Sequence, residues 1–183
     1  FFMFKINVRS ITFTAMFTAL SIVFTRVFAI INTDTLRLTI GNVPIMLAGI
    51  FFGPVAGALC GALADILGCL LIGGYMPYLP MTLSPILIGV LPGVAAILAK
   101  GRIKNGISNK LLLALTVIVT EIIASFFWKT LCLSWLYGSP FTVLFVERAL
   151  LNLIQTAAEI ILLYALLKGG ELLKLFGKKK VNK

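Results

Sequence analysis

The sequence predicts an all-α integral membrane protein of six transmembrane helices, with the amino and carboxyl termini both cytoplasmic. Three observations carry this. Of 183 residues, 60% are hydrophobic and only 12% charged, and the mean hydropathy of +1.09 leaves too little polar surface to close a soluble globule. Several apolar stretches reach the ~20 residues that a helix needs to cross a bilayer, and none has the alternating pattern of barrel strands. The cations gather in three places that six spans would put on one side of the membrane.

The elements follow from apolar runs and their breakers, within a single membrane domain over 1–183. A first span is expected over 8–31, before the polar loop Asn32-Thr33-Asp34-Thr35 and Arg37. A short second one, 40–52, ends at Gly53-Pro54, which reads as a sharp turn. The third, 55–72, stops at Gly73-Gly74. The stretch YMPYLPMTLSP, 75–85, holds three prolines and is expected to be ordered but not helical. The fourth span covers 86–99. A basic loop from Lys100 to Lys110 leads to the fifth, 111–137, and Gly138-Ser139-Pro140 turns into the sixth, 142–167. A basic tail occupies 168–183.

Orientation comes from Lys5 and Arg9 at the amino end, Lys100, Arg102, Lys104 and Lys110 in the loop, and Lys168, Lys174, Lys178, Lys179, Lys180 and Lys183 in the tail. These are twelve of the sixteen cations, and the positive-inside rule puts them in the cytoplasm. A basic tail beside a membrane span is a topology signal or an anionic-lipid contact, so the net charge of +10 does not imply nucleic acid. The opening FFMFK leads into a full-length span, unlike a cleavable signal peptide.

The remaining cations, Arg26, Arg37, Lys129 and Arg148, all fall in the outer half. Three lie at membrane depth, where a lone charge costs roughly 3 kcal/mol on insertion scales. For any one of them two readings are open: a side chain snorkelling to the interface, with Glu147 as a neutralising neighbour, or a ligand contact. Against Asp34 and Glu147, the acids of the same zone, the four leave a surplus of two positive charges, which suits a dianion.

Helical spacing puts Arg148, Asn152, Gln155 and Glu159 on one stripe of the sixth helix, and Glu121, Ser125, Lys129 and Cys132 on one stripe of the fifth. Polar stripes facing lipid would be costly, so both should face each other or a cavity. Trp128, Trp135, Tyr75, Tyr78 and Phe127 surround that zone, either as interface anchors or as flat walls for an aromatic ligand. The implied ligand joins an aromatic plate to two negative charges. In the third span Gly57, Gly61, Asp65 and Gly68 share a stripe that permits close helix approach, and Ala15 and Ala19 do so in the first. Asp65 is placed near the midplane, to accept hydrogen bonds from a neighbouring helix end or to pair with an inner cation.

Enzyme chemistry is disfavoured. Without histidine there is no Ser-His pair, His-ligated metal or HExxH site. Cys60, Cys69 and Cys132 form no CxxC and read as small apolar fillers. No GxxxxGK[ST] is present, so energy must come from a partner or an ion gradient, and no cofactor is expected.

The segments AMFTA in the first helix and LRLTIGNVPIMLAGIFFGPVAGALCGALAD across the next two resemble the substrate-binding S components of energy-coupling factor (ECF) vitamin transporters, over essentially the whole chain. Arg26, Trp128-Lys129 and Glu147-Arg148 make it most similar to the folate-specific members. The resemblance implies a subunit of a bacterial plasma membrane importer. It would bind the vitamin from outside and reorient in the bilayer with a T component and two cytoplasmic ATPases. It also implies folate contacts at Arg26, Arg37, Tyr75, Trp128, Lys129, Glu147, Arg148 and Asn152, and docking of the T component on Ala15 and Ala19. Folate has the flat ring and two carboxylates inferred above. On a regular helix Ala15, Ala19, Ile22 and Arg26 share nearly one face, so docking and ligand contact need different depths or a bend. An S component for another vitamin, or a self-sufficient ion-coupled transporter, are the alternatives; the latter usually shows repeated halves, and GPVAGALCGALAD against LPGVAAILAKG is only a faint echo.

Overall fold

Apolar helices in a bilayer gain little from burying more hydrocarbon, so close packing and hydrogen bonds decide how they assemble. The computed structural model describes residues 8–27, 31–32, 37–73, 78–99, 114–138 and 140–168. Its helices are α1 (Val8–Arg26), α2 (Asn42–Phe52), α3 (Pro54–Gly68, continued by π-helical turns over Cys69–Gly73), α4 (Leu79–Ala99), α5 (Ala114–Tyr137, π-helical over Glu121–Trp128) and α6 (Phe141–Lys168). Among the described residues α3 to α6 are long and apolar enough to cross a membrane, while α1 and α2 are shorter apolar helices.

Two expectations fail. The first helix stops at Arg26, not at 31; the chain instead forms a small antiparallel pair, β1 (Ile31–Asn32) with β2 (Arg37–Leu38), Ile31 opposite Leu38. Pairing in this way satisfies backbone groups that a helix end would leave unpaired. The proline-rich stretch is also helical from Leu79 onward, so the fourth helix begins seven residues before the expected 86. Pro80 stands in its first turn, where no N–H is needed, and the Tyr78 carbonyl accepts from Met81 N at 2.8 Å and Thr82 N at 3.3 Å. Pro85 and Pro92 are interior and are carried by packing against neighbouring helices.

Glycines bring the first four helices together. A Cβ at Gly57 would strike the Gly89 backbone, one at Gly61 would strike Pro85, and Gly49 is held equally close to Gly89. One turn further along α3, Asp65 Oδ2 accepts from Thr82 Oγ1 at 2.8 Å. The Gly57-Gly61-Asp65 stripe is thus the α3–α4 seam, whereas Gly68 gives room to Arg26. Between α2 and α3, Gly53 at φ 97° makes the sharp turn and Pro54 opens the next helix.

The core runs through Phe17, Val43, Met46, Ala48, Ile88, Val117, Ala124 and Leu163. On α1 the buried face is Phe17, Thr18 and Ser21, and the Ser21 hydroxyl donates to the Gly41 carbonyl at 2.8 Å, fixing where α2 enters. Thr12, Thr14, Thr18 and Thr25 turn their hydroxyls back on carbonyls four residues earlier, so these four donors are satisfied within α1 itself.

Candidate functional site

The second half of the chain is built differently, around buried polar side chains. On α6, Arg148 (8% exposed) and Glu159 (0%) are buried, with Asn152 and Gln155 half-buried on the same stripe. On α5, Glu121, Ser125 and Cys132 are buried and Lys129 half-buried. The π-helical turns close i→i+5 rather than i→i+4 rings and so loosen the backbone pattern. There the Ala124 carbonyl accepts from the Ser84 hydroxyl of α4 at 2.8 Å.

Arg148 Nη1 donates to Thr130 Oγ1 at 3.1 Å, so the guanidinium reaches α5 at the residue next to Lys129. Arg26 Nη2 donates to Cys69 Sγ at 3.0 Å, at the seam of α1 with the end of α3. The structure therefore sets Arg148 and Lys129 at the α5–α6 junction and Arg26 at α1–α3. Trp128 Nε1 donates to the Pro80 carbonyl at 2.8 Å, which ties α5 to the first turn of α4 and fixes the plane of the indole. Phe127 and Trp135 are exposed, Tyr78 is half-buried, and Glu147 is exposed while its neighbour Arg148 is buried. Asn152 gives its backbone carbonyl to Thr156 Oγ1 at 2.7 Å. Arg37 is placed in β2, its side chain outside the described residues, as are Tyr75 and Asp34 altogether.

Ala15 and Ala19 are exposed, beside the buried stripe of α1, whereas Arg26 is half-buried. They share one helix and differ in depth, with Arg26 eleven residues beyond Ala15, or roughly 16 Å along the axis.

Sequence reasoning missed the residue that joins the two polar stripes. Asn42, at the start of α2, sends its Nδ2 to Glu121 Oε1 at 3.2 Å and to Glu159 Oε1 at 2.9 Å, and Gln155 Nε2 adds a bond to Glu159 Oε1 at 3.0 Å. The other oxygens, Glu121 Oε2 and Glu159 Oε2, and the Ser125 hydroxyl are buried and have no partner among the described residues. The signal was present: both glutamates lie on the polar stripes, and Asn42 is the one amide in an otherwise apolar second helix.

Comparison with known proteins gives a consistent picture. The family model described as "ECF-type riboflavin transporter, S component" matches residues 5–171. A folate transporter, FolT, of Clostridium novyi (strain NT) is 32% identical over 182 residues, covering 98% of this chain and 99% of the relative. A crystal structure of FolT bound with folic acid superposes with a TM-score of 0.72 at 26% identity, over 87% of this chain and 93% of that one.

Proposed function

The chain belongs to the S-component family of ECF transporters, membrane transport subunits and not enzymes, and from that premise we propose that it is a high-affinity folate-binding subunit of an ATP-driven vitamin importer. The observation that carries the choice of folate is the end-to-end pairing with a folate transporter. The cations favour it too. Arg148 is held buried at the α5–α6 junction beside Lys129, in the outer half where a ligand with two carboxylates would be met, and Arg26 lines the outer end of α1. Packing alone would be served better by leucine at such depth.

Six spans in one membrane domain, with both termini cytoplasmic, complete the reading: α1 and α2, though short, count as spans beside the four long helices, and the basic loop and tail then lie inside. The setting is a bacterial plasma membrane. Ala15 and Ala19, exposed and without side chain beyond Cβ, form the face on which a T component docks. With two cytoplasmic ATPases the complex would reorient the loaded subunit toward the inside.

Riboflavin is the second reading, because the matching family model is described for riboflavin. Mass spectrometry of the small molecule that copurifies with the protein separates the two. Folate or a reduced folate is expected; riboflavin or another vitamin would withdraw the folate assignment and keep the family.

A further inference from the structure

Arg148 is a cation that the protein encloses beside a neutral partner. A guanidinium carries five N–H donors in a rigid planar fork, has no acceptor, and does not lose its charge in proteins. Arg148 is 8% exposed, and its Nη1 donates at 3.1 Å to Oγ1 of Thr130, which is 0% exposed. Leu133 on α5 and Leu144 on α6, each within about one turn of that bond, are buried as well. A bond that only fastened α5 to α6 would need two groups of ordinary polarity, and a second hydroxyl facing Thr130 would serve without bringing a charge to membrane depth. A charge kept for the fold alone would be expected to face a carboxylate, because burial costs least when the charge is paired. The hydroxyl of Thr130 does something else: it orients the guanidinium without neutralising it.

We propose that Thr130 is the positioning residue for Arg148. By holding Nη1 it fixes the plane of the guanidinium and leaves the Nε–Nη2 edge to take a carboxylate of the bound ligand through two parallel bonds. This rests on the folate reading and deepens it, by naming a residue that sets affinity without touching the ligand. Two parallel N–H bonds to one carboxylate are stronger and more selective in direction than a single bond, but they form only when the fork lies in the plane of the carboxylate. Threonine suits the task, since branching at Cβ restricts χ1 and so holds the acceptor itself in place.

The sequence order on α5 agrees. Thr130 follows Lys129 directly, so α5 supplies one cation itself and steers the second, from α6, to the same turn. A glutamate tail offers one carboxylate to each. Replacing the hydroxyl by a carboxylate would pair Arg148 internally and take it away from the ligand, which is why a neutral acceptor at this position matters.

The experiment measures equilibrium binding of folate and of folate dimethyl ester, which keeps the rings and has no charged carboxylate, on the purified full chain in detergent. Wild-type protein should bind folate at least about 10-fold more tightly than the ester. Thr130→Val keeps the branched shape and removes the acceptor; it should weaken folate roughly 5- to 10-fold and leave the ester unchanged, while Thr130→Ser should stay within about 3-fold of wild type. In an Arg148→Met background Thr130→Val should add no further loss, because the group it positions is gone. Equal affinity of wild-type protein for folate and the ester overturns the proposal, whatever the variants do. Four results with the variants overturn it as well: wild-type folate affinity in Thr130→Val, an equal loss of both ligands, which marks a fastening between helices, a loss in Thr130→Ser as large as in Thr130→Val, or an additive loss in the double variant. Wild-type protein that binds riboflavin and neither folate nor its ester would sink the folate reading itself, whereas folate bound no better than the ester removes the positioning role alone.

Discussion

The helices α1 to α4 and the pair α5–α6 solve the same problem by opposite means. In the first region glycines at 49, 57, 61 and 89 let backbones touch, and the polar groups present, such as Asp65 with Thr82, are paired across a seam. In the second, Arg148, Glu121 and Glu159 are buried side chains, and the backbone of α5 departs from α-helical form over the stretch that begins at Glu121. The difference supports the proposed reading, in which the first half is scaffold and the second carries the site. Close packing is what lipid rewards, whereas buried charge is what lipid penalises, so a region that accumulates it is answering to something other than stability.

The sharpest way to break this comparison is to damage the scaffold. Gly57→Leu or Gly89→Leu drives a side chain into the facing backbone, where overpacking costs about 3 kcal/mol or more. Thermal unfolding and size exclusion in detergent should show a large loss of stability or of monodisperse protein. An unchanged melting temperature would mean that the seam opens freely and is no scaffold.

The cations should respond in the other sense. Arg148→Met and Lys129→Met in the second half, and Arg26→Met at the outer end of α1 in the first, should each weaken folate by roughly 1.5 to 3 kcal/mol, the value of a charge-assisted hydrogen bond, with little loss of fold. Titration of each variant checks this. If all three bind like wild type with folding intact, the cations are snorkelling anchors and the division into scaffold and site fails.

Trp128→Phe sits on the boundary between the two regions, because its indole N–H bonds the Pro80 carbonyl of α4. Loss of that bond should lower stability by about 1 kcal/mol. An additional loss of folate affinity beyond that seen for the cation variants would show the ring to be a ligand wall as well as a clamp.

Much of this was legible in the residues. The apolar runs give the helices in order, with the end of the first and the start of the fourth displaced, because length and composition suffice to recognise a span, and the periodicity of Arg148, Asn152, Gln155 and Glu159 gives a buried face. The prolines of 79–85 point to a loop, but the rule that proline breaks helices fails in a first turn and in a packed helix. Nothing local in VFAII disfavours a helix running to 31, and the short strand pair that follows depends on pairing between separate segments. The Asn42 group could not be assembled from one segment, for its members come from α2, α5 and α6.

The smallest effect on the isolated protein is expected at Ala15→Leu with Ala19→Leu. Both alanines are exposed, and leucine is as apolar as lipid, so folate affinity and melting temperature should barely change. Capture of a T component and ATP-dependent uptake in vesicles should both be lost. Loss of folate binding in the isolated variant would place these alanines in internal packing, and normal uptake would leave the face to lipid.

Everything above turns on the second half being a folate site, and equilibrium competition tests that most directly. Labelled folate bound to detergent-purified wild-type protein is titrated with unlabelled folate and, separately, with riboflavin. The account predicts displacement by folate and no appreciable displacement by riboflavin. Riboflavin competing as effectively as folate would contradict it.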